Sequence, residues 1–216
     1  MLEKIDIYDA VTSLSHGTLF LVAGYTLFPQ ATKLVPPLEI SEFASSIAFI
    51  CIAYFIGQVI TSLSSIIQPF LYWTWGGRPS KLAFDGKMPD KYLSYDMVKL
   101  ARAILQKSSS NNLSDAAIFN KAMGIARKAE GSLSERHNRM YAYNRVTLCN
   151  LALILGMFVL SCFYGRSKSF SCVQSAGIVI GFILLLLLHW YRAKQRAFYF
   201  VGEVLVVAER ELSRGA

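Results

Sequence analysis

Charge is scarce in this chain. Only 17% of its 216 residues are Asp, Glu, Lys or Arg, against roughly 25% in an ordinary soluble domain. Acids are scarcer still, 14 against 22 bases, which leaves a formal net charge of +8. Cysteine is sparse at four residues, with no CxxC pair and no His/Cys cluster at zinc spacing. That excludes a disulfide scaffold and a thiolate metal site. Enzyme motifs are missing as well: there is no P-loop, GxSxG, HExxH or dinucleotide fingerprint. Gly76-Gly77-Arg78-Pro79 reads as a turn, not as a phosphate cradle. The chain is expected to be no enzyme and to carry no cofactor or metal. What it has in abundance is apolar side chains, 54% of the total. That excludes an intrinsically disordered chain.

The apolar residues gather in four stretches, and the expected class is all-α: a polytopic membrane protein with four transmembrane helices and a helical cytoplasmic module. A span needs about 20 apolar residues. Residues 146–164 and 173–190 contain no Lys, Arg, Asp or Glu and would form a tight helical hairpin. Residues 10–28 are also free of charge but carry Thr12, Ser13, Ser15, His16 and Thr18. Residues 43–75 are uncharged throughout. At 1.5 Å per residue they are too long for one hydrocarbon core of about 30 Å. The span is therefore placed at 43–64. The remainder, with Pro69, Tyr72, Trp73 and Trp75, reads as a juxtamembrane segment with interfacial aromatic anchors. Glu3, Lys4, Asp6 and Asp9 make the start unlike a basic signal-peptide n-region, so the first span is expected to persist in the mature protein. The expected parts are 1–75, a first helix pair; 76–145, a basic helical region; 146–190, a second hairpin; and 191–216, a C-terminal helix.

The bases have a definite place in this layout. With four spans, the N-terminus, region 76–145 and the tail share one side, which holds 19 of the 22 Lys and Arg. The positive-inside rule makes that side cytoplasmic. Region 76–145 alone carries a net +7. It is not a loose linker. Leu93, Met97, Leu100 and Ile104 make a helical stripe, and Lys107-Ser-Ser-Ser-Asn-Asn112 breaks it. Ser114 can cap a second helix, and Ser132-Leu-Ser-Glu135 has the form of a capping box for a third that continues into span three. Tyr191, Lys194, Phe198, Val201, Leu205 and Ala208 keep helical spacing past the fourth span.

Several residue sets invite a functional reading. Lys99, Arg102, Arg127, Lys128, Arg136 and Arg139 are candidates for docking a partner. They could face an anionic leaflet, meet an acidic protein, or touch nucleic acid weakly. Arg136 or Arg139 could also pair with Glu203 or Glu209 across two helices. Ala53, Gly57 and Thr61 in the second span, and Gly177 and Gly181 in the fourth, have the spacing that lets helix backbones approach. Each track is a contact within the chain or a seam of a homo-oligomer. His16 and Gln58 are either pore-lining groups or partners in interhelical hydrogen bonds. Cys162 and Cys172 bracket the short loop, as a bridge or as free thiols.

Three features carry a family likeness: Tyr8-Asp9 before the first span, the aromatic exit Trp73-Thr-Trp-Gly-Gly-Arg-Pro-Ser80, and the Arg139 to Arg145 approach to span three. Together with size and layout, they resemble small four-span inner-membrane proteins of bacterial antiphage defence operons, such as the membrane subunit of the Kiwa system. The resemblance implies an inner-membrane protein that senses or executes a response to infection beside a cytosolic partner. Two functions follow as expectations: a membrane-anchored sensor or scaffold, or an oligomeric effector that depolarises the membrane.

Overall fold

The computed structural model describes residues 7–29, 41–108, 113–163 and 171–214. These form eight helices: α1 (Ile7–Leu27), α2 (Glu42–Ile66), α3 (Gln68–Thr74), α4 (Pro79–Phe84), α5 (Tyr95–Lys107), α6 (Asp115–Ala126), α7 (Ser134–Phe163) and α8 (Cys172–Arg214). No strand occurs among the described residues, so the all-helical expectation holds. Three helices, α2, α7 and α8, are long and apolar enough to cross a membrane. The helix α1 forms where a first span was expected, but it is not among those three. Its hydroxyls and His16 dilute an otherwise apolar surface.

The chain divides into two compact units. The first comprises residues 1–68 and 143–190. In it α1 lies along α2 with almost no side-chain spacer. A Cβ on Gly57 would overlap the Ser13 carbonyl, and one on Gly17 would overlap that of Ala53. Ile60, Val146 and Cys149 form a small core between α2 and α7, with Phe20, Ile56 and Leu153 against it. Close backbone approach of this kind replaces the large side-chain cores of water-soluble bundles.

The second unit comprises residues 69–142 and 191–216. Its core is of ordinary soluble type: Val98, Ala101 and Leu105 of α5, Ile118, Phe119 and Ala122 of α6, and Phe198, Val201 and Leu205 of α8. Ser94 and Ser114 cap α5 and α6, each accepting the N–H three residues on. Gly76 and Gly77 turn the chain between α3 and α4 with φ of 86° and 142°, which side chains with a Cβ rarely adopt. Pro79 opens α4 at a position that needs no N–H.

Four local expectations need correction. The helix α5 starts at Tyr95, after Leu93 of the expected stripe, and its buried stripe is Val98, Ala101 and Leu105. Leu100, expected inside, is 46% exposed. Leu93 is buried but precedes the helix, so it set the wrong register. Trp75, expected as an interfacial anchor, is buried edge-on against Tyr141. Phe70 and Trp73 are exposed and their rings pack together. The capping box before α7 takes another form: Ser134 N–H donates to Ser132 Oγ, and Leu133 N–H donates to Glu203 of α8. Glu135 is engaged by Arg139 one turn on.

Candidate functional site

The six candidate docking residues all lie in the second unit, on α5, on α7 and in the turn after α6. They are not equally available. Arg102 of α5 is paired with Asp115 at 2.6 Å and lies over the Phe84 ring. Lys99 pairs with Asp96 at 3.5 Å and covers Tyr95. Arg139 is held by Glu135 at 3.2 Å. The cross-helix pairing expected with Glu203 or Glu209 takes another course. Glu203 accepts from the Leu133 N–H, and Glu209 accepts from Ser213. Arg127, Lys128 and Arg136 are exposed and make no ion pair among the described residues. Arg127 and Lys128 follow directly on α6, and Arg136 sits in the first turn of α7. Solvated, unpaired bases keep their full charge for a partner, whereas exposed pairs such as Lys99–Asp96 are nearly neutral at a distance.

His137 and Arg196 meet in the same unit. The Arg196 guanidinium donates to His137 Nδ1 at 3.4 Å, and Tyr199 stacks on the imidazole. Burial holds His137 below its ordinary value of 6.5; Arg196 lowers it further, Glu203 opposes, and Arg136 adds a smaller lowering. A cleft of about 390 Å³ in the same unit is lined by Arg78 and Lys81 but also by Asp85 and Asp115. Its charges balance, so it has no evident preference for an anion.

The first unit contains the small-residue tracks and the polar groups. Ala53 and Gly57 are spent within the chain, against Gly17 and Ser13 of α1. Thr61 turns its hydroxyl to the carbonyl of Gly57 in its own helix. Nothing lies within 4 Å of a Cβ built on Gly177 or Gly181. Around them α8 is bare: no residue of its most apolar 18-residue window is buried, against 44% of that in α7. The two tracks thus have different states, one filled and one open.

His16 and Gln58 both make interhelical hydrogen bonds. Gln58 donates to Ser13 Oγ at 3.1 Å. His16 Nδ1 lies 2.7 Å from the Thr12 carbonyl and Nε2 lies 2.9 Å from Thr147 Oγ1 of α7. Asn150 donates to the His16 carbonyl at 3.0 Å and is fully buried. Thr147 and Asn150 were not singled out in the sequence. Their signal is simple in retrospect: an amide and a hydroxyl three residues apart on one face of an apolar stretch. Arg145 donates to Gln68 at 2.6 Å and to Ser65 at 3.3 Å, joining α7 to the first residue of α3 and the end of α2.

Cys162 and Cys172 are free thiols. They line one apolar cavity of about 580 Å³ between the end of α7 and the start of α8, with Phe158 and Ile180. The loop between them lies outside the described residues. Among the described residues no group of His, Cys, Asp and Glu could hold a metal ion. No protein-family model, no curated protein and no solved structure matches this chain.

Proposed function

We propose that the protein is a membrane-embedded sensor or scaffold subunit of a bacterial antiphage defence system, with a basic helical unit that docks a cytosolic partner protein. The observation that carries this reading is the division of the chain. One unit is built on apolar helices, and the other presents Arg127, Lys128 and Arg136 exposed and without ion pairs among the described residues. In this reading α1 is the fourth span. It is 21 residues long and satisfies its polar groups through Ser13–Gln58 and His16–Thr147, as a helix in lipid must. Both termini and the basic unit then lie in the cytoplasm, at the inner membrane. Lipids are its surroundings, and nucleic acid is at most an indirect contact. The defence context rests on the family likeness alone.

The test is co-purification from a bacterial host that encodes the neighbouring operon. A cytosolic protein should accompany the wild-type chain and be lost with Arg127→Glu, Lys128→Glu and Arg136→Glu together. Retention of the partner by that triple variant would defeat the docking assignment.

The alternative is an oligomeric effector that opens or depolarises the membrane. The bare apolar length of α8, with Gly177 and Gly181 open, favours it. Expression of the chain alone, with membrane potential recorded, separates the two. A subunit that waits for a partner leaves the potential intact, and an effector collapses it. An enzyme is the third reading, and no catalytic constellation among the described residues supports it.

A further inference from the structure

The Thr147 hydroxyl is asked to serve two neighbours. Its oxygen lies 2.9 Å from His16 Nε2 and 2.9 Å from the Tyr143 carbonyl oxygen one turn back in α7. It has a single hydrogen to give. The other imidazole nitrogen is fixed. Nδ1 lies 2.7 Å from the Thr12 carbonyl, an acceptor only, so Nδ1 carries a hydrogen. A neutral His16 therefore has a lone pair on Nε2, and Thr147 can donate either to it or to Tyr143. If Thr147 turns to Tyr143, two lone pairs face each other. A doubly protonated imidazole removes the conflict. Nε2–H donates to Thr147, and the Thr147 hydrogen goes to Tyr143.

We infer that His16 is a proton-binding switch: a proton taken onto Nε2 turns the Thr147 hydroxyl from His16 to the Tyr143 carbonyl and reverses the direction of the α1–α7 hydrogen bond. The proton comes from water, and no bond between heavy atoms is made or broken. The bond becomes charge-assisted in the protonated state, hence shorter and stronger. The site is built to report the change. The Tyr143 ring meets the imidazole edge-on at 5.3 Å, and Asn150 ties the His16 carbonyl to α7. Asn150 Oδ1 is buried with no partner among the described residues, leaving an acceptor open in the same cluster.

The groups that face this site from each packed helix are few. On α1 itself, Asp9 is exposed two turns away. From α2 comes Gln58, which is uncharged and bound to Ser13. From α7 comes Tyr143, while Cys149 packs with Ile60 and Val146 and Arg145 is engaged by Gln68 and Ser65. His189 of α8 bonds Asn144, next to Tyr143. No carboxylate is hydrogen-bonded or ion-paired to His16 among the described residues, so the imidazole charge would be held by Thr12 and Thr147.

The test is nitrogen NMR of the full chain, with histidine labelled at the imidazole nitrogens, in phosphatidylcholine–phosphatidylglycerol nanodiscs. His16→Gln assigns the signals. Between about pH 8 and about pH 5, where histidine titrates, His16 should start as the Nδ1–H tautomer and gain a slowly exchanging Nε2 proton. Thr147→Val should abolish the slow exchange, and Thr147→Ser should keep it. An Nε2–H tautomer at the high end would overturn the inference, as would a His16 that stays neutral throughout. So would an Nε2 proton whose exchange ignores Thr147→Val. The tautomer is read on the wild-type chain, so the test survives a variant that fails to fold.

Discussion

Gly57 of α2 rests directly on the backbone of Ser13 in α1, and no side chain fits between them. The contact is mirrored four residues along α1, where Gly17 rests on Ala53. The α1–α2 pair is thus held by backbone proximity, which any added atom must break.

Gly57→Ala and Gly17→Ala should each destabilise the first unit, by about 1–3 kcal/mol or more, the usual cost of overpacking. Gly24→Ala, with nothing within 4 Å of the new methyl, should be neutral or slightly stabilising through helix propensity. The measurement is unfolding in mixed detergent micelles followed by circular dichroism. Equal stability of the Gly57 and Gly24 variants would mean that α1 and α2 do not pack at this seam.

The second unit should respond as a soluble core does. Leu105 is fully buried, within the cluster that contains Ile118 and Leu205. Leu105→Ala should cost about 2–5 kcal/mol. Leu100→Ala, on the exposed side of the same helix, should stay within about 0.5 kcal/mol. Limited proteolysis between residues 76 and 145 reads the difference: rapid cleavage for the first variant and wild-type rates for the second. The reverse order would restore the stripe read from Leu93, Met97, Leu100 and Ile104.

That stripe shows where the sequence is legible and where it is not. Helix content, the three apolar helices and the Ser114 cap can all be read from composition, period and capping chemistry. The face of α5 cannot, because Leu93 shares the helical spacing but lies outside the helix. Ala101, at the middle of the buried stripe, carries almost no hydrophobic signal of its own. Trp75 fails for a related reason. An aromatic near the end of an apolar stretch looks the same whether it meets lipid or Tyr141. At the polar cluster, His16 and Gln58 stand out in sequence as misfits. Their partners Thr147 and Ser13 do not, since pairings across 131 and 45 residues are set by packing.

His137 should make the second unit sensitive to acid. It lies outside the apolar stretch that begins at Val146. Its affinity for a proton is held down by burial first, then by Arg196, against an opposing effect of Glu203. The unfolded chain, with an ordinary value near 6.5, therefore binds the proton more readily than the folded one. Stability from this group is fully present above about pH 6.5 and is lost as pH falls through the lower folded value. Unfolding of the wild-type chain should shift to lower temperature in that window. His137→Gln should remove that component of the slope. A wild-type slope of opposite sign at His137, isolated by the same substitution, would contradict the geometry.

The membrane crossing of α8 can be decided with cysteines. Cys172 is exposed at the start of the helix, and Ser213 is exposed near its end. The helix is 43 residues long, about 65 Å at 1.5 Å per residue, enough to place those positions on opposite sides of a bilayer. Two single-cysteine chains suffice, both with Cys51, Cys149 and Cys162 changed to Ser. One retains Cys172, and the other has Cys172→Ser with Ser213→Cys. On spheroplasts, an impermeant maleimide should label Cys172 and spare the second chain. On inside-out vesicles the pattern should reverse. Labelling of both chains from the same side would mean that α8 does not cross, and the cytoplasmic placement of the basic unit would fall with it. Labelling in the opposite sense would keep the crossing and place the bases outside, against the retention of positive charge on the cytoplasmic face.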